Sequence, residues 1–188
     1  MLLKRLLLGL GLLGVMTQGC IFSPHQGGKV IKPPPIYAKN TSPEAVLDNL
    51  RKSYTNKDSL EYKLLYDDTY QGSFIDQRDP TPVLATYFKT DEAAHIAFLA
   101  RGAQTVDLVL SASLVRVTNL GDPPGWITIQ DPFQVLHIQG TTADGSAGDF
   151  SISPGVEDSI EMKFVPIPPS GSEPDTTWQI IRVVEIRR

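Results

Sequence analysis

The stretch at residues 42–68, SPEAVLDNLRKSYTNKDSLEYKLLYDD, decides the fold. Ser42 is a helix-capping residue, Pro43 suits the first helical position, and Glu44 favours the positive end of the helix dipole. Val46, Leu47, Leu50 and Tyr54 then recur at helical spacing, which predicts an amphipathic helix over 43–56. Asn56-Lys57-Asp58 interrupts the pattern, and a short second helix carries Leu60, Leu64 and Leu65.

Toward the C-terminus, residues 70–75 read as a first strand, broken by Asp79-Pro80-Thr81-Pro82. Thr90-Asp91-Glu92 opens a third helix that runs to Arg101 and stops at Gly102. From Thr105 the period changes to two, and antiparallel strands are expected. Val106, Leu108, Leu110, Ala112 and Leu114 share one face of a long strand ending near Val117. A turn-rich loop at 119–125 leads to strands at 126–130 and 133–140, two elements or one bent at Asp131-Pro132. Residues 143–149 read as a flexible connection. Ile160, Met162 and Phe164 alternate with polar neighbours in a half-buried strand, a second loop covers 166–174, and a strand at 177–187 closes the chain.

This element order resembles the cystatin-like α+β cone known from nuclear transport factor 2. The residues that carry the resemblance are Ser42-Pro43-Glu44-Ala45-Val46-Leu47-Asp48-Asn49-Leu50, Tyr54, Lys57-Asp58-Ser59-Leu60-Glu61-Tyr62, Leu64-Leu65-Tyr66-Asp67-Asp68 and the Trp178-initiated last strand. It covers residues 42–188 and implies three N-terminal helices packed on a curved antiparallel sheet around a conical pocket. The proline-rich connection at 166–174 departs from the pattern. The fold hosts isomerases, dehydratases, cyclases, binders and assembly domains, so fold alone does not choose among them.

Outward in the other direction, residues 20–41 are rich in Pro, Gly, Lys and Ser and read as a tether with too little apolar surface to fold. Before it, Lys4 and Arg5 precede an apolar run over 6–16, the order of a secretory signal peptide. At about 11 residues the run is too short for a membrane span, which needs roughly 20. The run also spells GxGxxG from Gly9 to Gly14, but no strand precedes it and no βαβ unit surrounds it. It ends at Thr17-Gln18-Gly19-Cys20, which resembles the lipobox of bacterial lipoproteins, with Thr17 where that family usually has Leu. The resemblance implies a signal peptide over 1–19 and an acylated Cys20, which would anchor the domain to a membrane and place it outside the cytoplasm in the cell envelope. Ile21 in place of Asp implies the outer membrane in a cell that has two. Cys20 is the one cysteine, so an internal disulfide is excluded.

Loss of residues 1–19 removes Lys4 and Arg5, so 17 basic residues become 15 against 21 acidic, a net charge of about −6. That balance lacks the basic footprint of a nucleic-acid binder. The 3 histidines, His25, His95 and His137, form no HxH or HExxH spacing, and neither a metal nor a cofactor is expected. No GxSxG elbow or phosphate loop is present.

Polar residues interrupting apolar strand faces remain. Arg182 shares a face with Trp178, Ile180, Val184 and Ile186; Arg116 follows Leu110, Ala112 and Leu114; His137 lies on the face begun by Phe133. They mark strand twist, edges and snorkelling side chains, or they enter the cone and fix a ligand. Tyr54, Tyr66, Tyr70, Phe74 and Trp178 fall on elements that line the cavity in similar proteins, so the ligand expected is a small apolar molecule or peptide. Asp76 follows the first strand where the resemblance places the base of isomerase members, and Asp76 with His137 is the candidate catalytic pair. His95 reads as surface or satisfied core. The function expected is ligand binding or protein interaction, with an isomerase-like or dehydratase-like enzyme as the alternative. Val115 and Val117, opposite Leu114, also suggest a homodimer through the sheet.

Overall fold

The helix expected at 43–56 is α1 (Pro43–Asn56), and its cap is made as expected: Ser42 Oγ accepts from the Ala45 N–H at 3.2 Å. The computed structural model describes residues 34–141, 147–171 and 175–188, and Pro35–Arg188 form one compact unit. Cys20, the segment before it, residues 21–33 and the centres of the loops at 142–146 and 172–174 lie outside the described residues.

After α1 come α2 (Ser59–Leu64), β1 (Tyr66–Asp76), β2 (Ala85–Phe88), α3 (Lys89–Gly102), β3 (Ala103–Leu110), β4 (Val115–Val117), β5 (Ile127–Gln130), β6 (Phe133–Thr141), β7 (Ala147–Ile152), β8 (Ser159–Ile167) and β9 (Thr177–Arg187). They form a six-stranded sheet, β2-β1-β9-β8-β5-β4, and a three-stranded sheet, β3-β6-β7. Val46, Leu47 and Leu50 of α1 and Ile96 and Leu99 of α3 share one core with Val106, Leu108, Ile129, Phe164 and Ile180 of both sheets. Each such aliphatic side chain taken from water contributes roughly 1.5–3 kcal/mol.

The α+β class with three helices holds, and several details are corrected. The large sheet is mixed, because β1 pairs in parallel with β9, bringing the first and last strands together. Strand β1 starts at Tyr66 rather than Tyr70, β2 lies in a stretch assigned no element, and β7 begins inside the connection expected over 143–149. Helix α2 buries Tyr62 while Leu60 and Leu64 are exposed. The long strand expected to reach Val117 ends at Leu110. There the Ser111 N–H donates to the Pro132 carbonyl at 2.8 Å and its hydroxyl donates to that of Asp131, which turns the chain out of the small sheet. The chain then joins the other sheet as β4, whose Val115 is exposed on the edge strand while Leu114 packs on the core.

Two one-residue bulges change which side chains face the core. Leu110 pairs with Phe133 but Val109 pairs with Val135, so Gln134 is an extra residue on β6. Beyond it Leu136 and Ile138, not Val135 and His137, continue the face of Phe133. Likewise Phe164 pairs with Ile180 but Lys163 pairs with Arg182, leaving Ile181 extra on β9. Val183 and Glu185 thereby take the core-side positions after Ile180, and Arg182 turns away.

The tether read over 20–41 also ends earlier than expected. Asn49, fully buried in the middle of α1, accepts from the Ala38 N–H at 3.1 Å and donates to the Ala38 carbonyl at 2.6 Å and to Asn40 Oδ1 at 2.8 Å. The Asn40 carbonyl accepts from the Trp178 N–H at 2.8 Å, and Tyr37 donates to Asp58 at 3.0 Å. One side chain thus clasps the incoming strap onto the domain.

Truncating Asn49 strands the polar groups of that strap. Asn49→Ala should lower unfolding stability by about 1–3 kcal/mol and move the first proteolytic cut into residues 37–40. Urea denaturation and limited proteolysis of the two chains check this, and an unchanged cleavage site would reject the clasp.

Candidate functional site

Tyrosines dominate the end of the core where α1, α2, β1 and β2 meet. Five of the 6 tyrosines in the chain form a continuous series of ring contacts. Tyr54 and Tyr62 lie 5.2 Å apart between ring centroids, Tyr62 and Tyr66 5.1 Å, Tyr66 and Tyr70 4.7 Å, and Tyr70 and Tyr87 6.3 Å. The spacing follows from local structure, since Tyr62 lies in the last turn of α2 while Tyr66 and Tyr70 lie in the first half of β1. Gly72, paired with Tyr87 across the β1–β2 ladder, is what lets the last ring lie on β1: a Cβ there would overlap it.

Two carboxyl groups gather the phenols. Glu92, in the first turn of α3, accepts from the Tyr62 hydroxyl at 2.6 Å and from the Tyr70 hydroxyl at 2.8 Å. Glu185, placed inward by the β9 bulge, accepts from the Tyr87 hydroxyl at 2.7 Å. Tyr66 donates to the Tyr62 oxygen at 2.8 Å. With the one Tyr62 proton donated to Glu92, the Tyr54–Tyr62 contact at 3.3 Å is donated by Tyr54.

These groups border a cavity of about 450 Å³, within the usual range for small-molecule sites. Its walls are apolar, from Leu108 on β3, Phe133 and Leu136 on β6 and Met162 on β8, and its polar end carries Glu92, Glu185 and the phenols of Tyr54, Tyr62, Tyr66 and Tyr87. Asp91 and His95, both exposed, stand at the rim, and the His95 ring lies edge-on to Tyr54 at 6.3 Å.

Burial pushes all five phenols above the ordinary tyrosine value, and neighbouring carboxylate charge adds to the rise, so they stay protonated at neutral pH. Burial likewise raises the Glu185 carboxyl; the Tyr87 bond opposes this and the Glu92 charge reinforces it. Among the described residues no group of three or more His, Cys, Asp or Glu is placed to hold a metal ion.

Of the residues singled out in the sequence, the structure brings Tyr54 and Tyr66 to the cavity wall, and Tyr70 stands buried behind them on Glu92. Phe74 borders a smaller neighbouring cavity under the Arg187 guanidinium, 5.7 Å from the ring. Trp178 packs on the core without lining the cavity. Arg116 forks onto Glu44 at the surface, and Arg182 donates to Gln71 at 2.7 Å. His137 lies on the outer face of β6, with Nδ1 2.7 Å from Ser151 Oγ and Nε2 3.2 Å from Asp149. Asp76 is held by Arg78 at 2.8 Å, which lowers its carboxyl to about 2. Asp76 and His137 stand on different sheets, neither lines the cavity, and they form no pair.

Glu92, Glu185, Tyr62 and Tyr87 are the polar groups that sequence reasoning passed over. Glu92 carried a signal: it precedes Ile96 by four residues and Leu99 by seven, so it occupies the buried stripe of α3. Glu185 carried none, because its face depends on the bulge.

The Gly72–Tyr87 contact is testable by a double-mutant cycle. Gly72→Ala should cost about 1–3 kcal/mol in the native chain, and most of that should vanish when Tyr87 is already Ala. Equal costs in both backgrounds, measured by urea denaturation, would show that the ring does not depend on the glycine.

No protein-family model matches this sequence, and no curated protein matches it. Solved structures similar to the chain include a nuclear transport factor 2-like superfamily protein from Salmonella enterica serovar Typhimurium, at 14% identity over 74% of this chain and 84% of that one, with a TM-score of 0.47. A conserved protein from Planctomyces limnophilus is 13% identical over 76% of this chain and 91% of its own, with a TM-score of 0.46. A Mycobacterium tuberculosis protein of unknown function is 13% identical over 76% and 67%, with a TM-score of 0.43. At TM-scores below 0.5, none of these likenesses bears on what this chain binds or does. The architecture itself, three helices with a six-stranded mixed sheet and a three-stranded sheet, is of the α+β class that the element order implied.

Proposed function

We propose that this chain is an exported lipoprotein, held to a membrane by acyl chains on Cys20, whose cone binds a small, mostly apolar molecule. The cavity carries the binding part: about 450 Å³ with aliphatic and aromatic walls and one polar end. Burying ligand surface against such walls is worth roughly 25 cal/mol per Å², enough for binding without a charged contact. The anchoring part is supported by Lys4 and Arg5, the short apolar run and the Gly19-Cys20 junction. Two acyl chains hold a domain stably where one is marginal.

One observation favours a second reading, isomerase-like or dehydratase-like catalysis: carboxyl groups and phenols converge within hydrogen-bond reach inside the cavity. Binding without turnover is preferred, because each of the five phenol protons is already committed to Glu92, Glu185 or Tyr62, leaving none to polarise a substrate oxygen.

Fatty-acid labelling in cells should mark the native chain and not Cys20→Ala, and equal labelling of the two would reject the anchor. For the cavity, the full chain carrying Cys20→Ala should brighten the neutral dye N-phenyl-1-naphthylamine. Leu136→Trp, which fills the cavity from its half-buried wall, should abolish the effect. Undiminished brightening in that variant would place the dye elsewhere and reject the pocket.

A further inference from the structure

The charge and hydrogen-bond inventory of the cavity is one-sided. Its polar lining residues include Asp91, Glu92, His95 and Glu185, and among the described residues no lysine or arginine lines it. A carboxylate offers about four acceptor positions, of which Glu92 uses two and Glu185 one in the bonds described above. Acceptors are therefore in surplus, while the phenol donors are spent.

The cations near this end are engaged elsewhere. Lys89 binds the Tyr66 carbonyl and Asp68, both at 2.7 Å. Arg187 borders the smaller cavity against Phe74 and lies 4.0 Å from Asp76. Its charge and that of His95 reach Glu185, but more weakly than the burial that opposes ionisation there.

Resting on the reading of this cavity as a ligand site, we propose that its ligand is a cationic amphiphile, with a protonated amine or quaternary ammonium between Glu92 and Glu185 and an apolar body along Leu108, Leu136 and Met162. An ammonium has only donors and a charge, so it takes up acceptors that the fold leaves unfilled. The aromatic wall adds attraction, since the faces of tyrosine rings draw cations, most strongly where water is excluded. A carboxylate or keto group between Glu92 and Glu185 would meet two carboxyl groups and phenols whose protons are already donated, and its burial would be poorly compensated.

The test is a matched series, 4-phenylbutylamine, 4-phenylbutanol and 4-phenylbutyrate, titrated at neutral pH by calorimetry into the full chain carrying Cys20→Ala. The amine should bind on the order of tenfold more tightly than the alcohol, and the carboxylate more weakly than either. In Glu92→Gln and Glu185→Gln the ratio of amine to alcohol affinity should fall toward one, with each variant checked for native unfolding behaviour. Two variants on separate elements keep the comparison readable if one folds poorly. Alcohol binding with no preference for the amine, or a preference that survives both substitutions, overturns the cationic ligand and leaves the pocket standing. Binding of none of the three compounds, together with a dye signal unaffected by Leu136→Trp, overturns both.

Discussion

The Glu92 carboxyl group is the constraint around which this domain is arranged. A carboxyl group on the inward stripe of a helix, among Ile96, Leu99 and apolar strands, has to be hydrogen-bonded or it destabilises the fold. Its two donors, Tyr62 and Tyr70, come from α2 and β1, and Tyr62 in turn accepts from Tyr66 and Tyr54. Three elements, α1, α2 and β1, are thereby fixed relative to α3, and all but Tyr70 of these groups also border the cavity. The candidate site is thus built from part of the core, and a ligand bound there would meet side chains that also hold the fold together.

A second consequence concerns polarity at the cavity end. Tyrosine supplies apolar surface and one donor, so four rings build an aromatic wall, with Tyr70 behind them, while the phenols serve two carboxyl groups. Because burial holds the phenols neutral, the net charge of this end comes from the carboxyl groups. The Glu185 carboxyl, raised by burial, is disfavoured in its charged form as long as no cation lies beside it.

Strand alternation assigns faces only while the register is unbroken. One extra residue on β6 and one on β9 reverse the alternation, sending His137 and Arg182 away from the core side and bringing Glu185 to it. A similar exchange occurs at the end of β3, where bonds from Ser111 to Pro132 and Asp131 move the continuing chain from one sheet to the other. In each case the polar residue chosen from simple period-two counting, His137, Arg182 or Arg116, lies past an irregularity that takes it off the cavity, and at β9 the same irregularity brings Glu185 in.

The amino-acid sequence by itself determined the local elements: α1 with its Ser42 cap, α3 from its acidic start to Gly102, the alternating strand β8 and the closing strand β9. These depend on capping, helical spacing and period-two burial over neighbouring residues, all of which a linear reading contains. The family resemblance, and no local pattern, pointed to Tyr54 and Tyr66, which line the cavity. Tertiary structure alone decided the parallel pairing of β1 with β9, the short strand β2 that carries Tyr87, the clasp of Asn49 on the strap before α1, and the inward turn of Glu185. Each joins residues far apart in the chain or rests on a register shift set by a partner strand. Their energies come from contacts that exist only once both partners are in place.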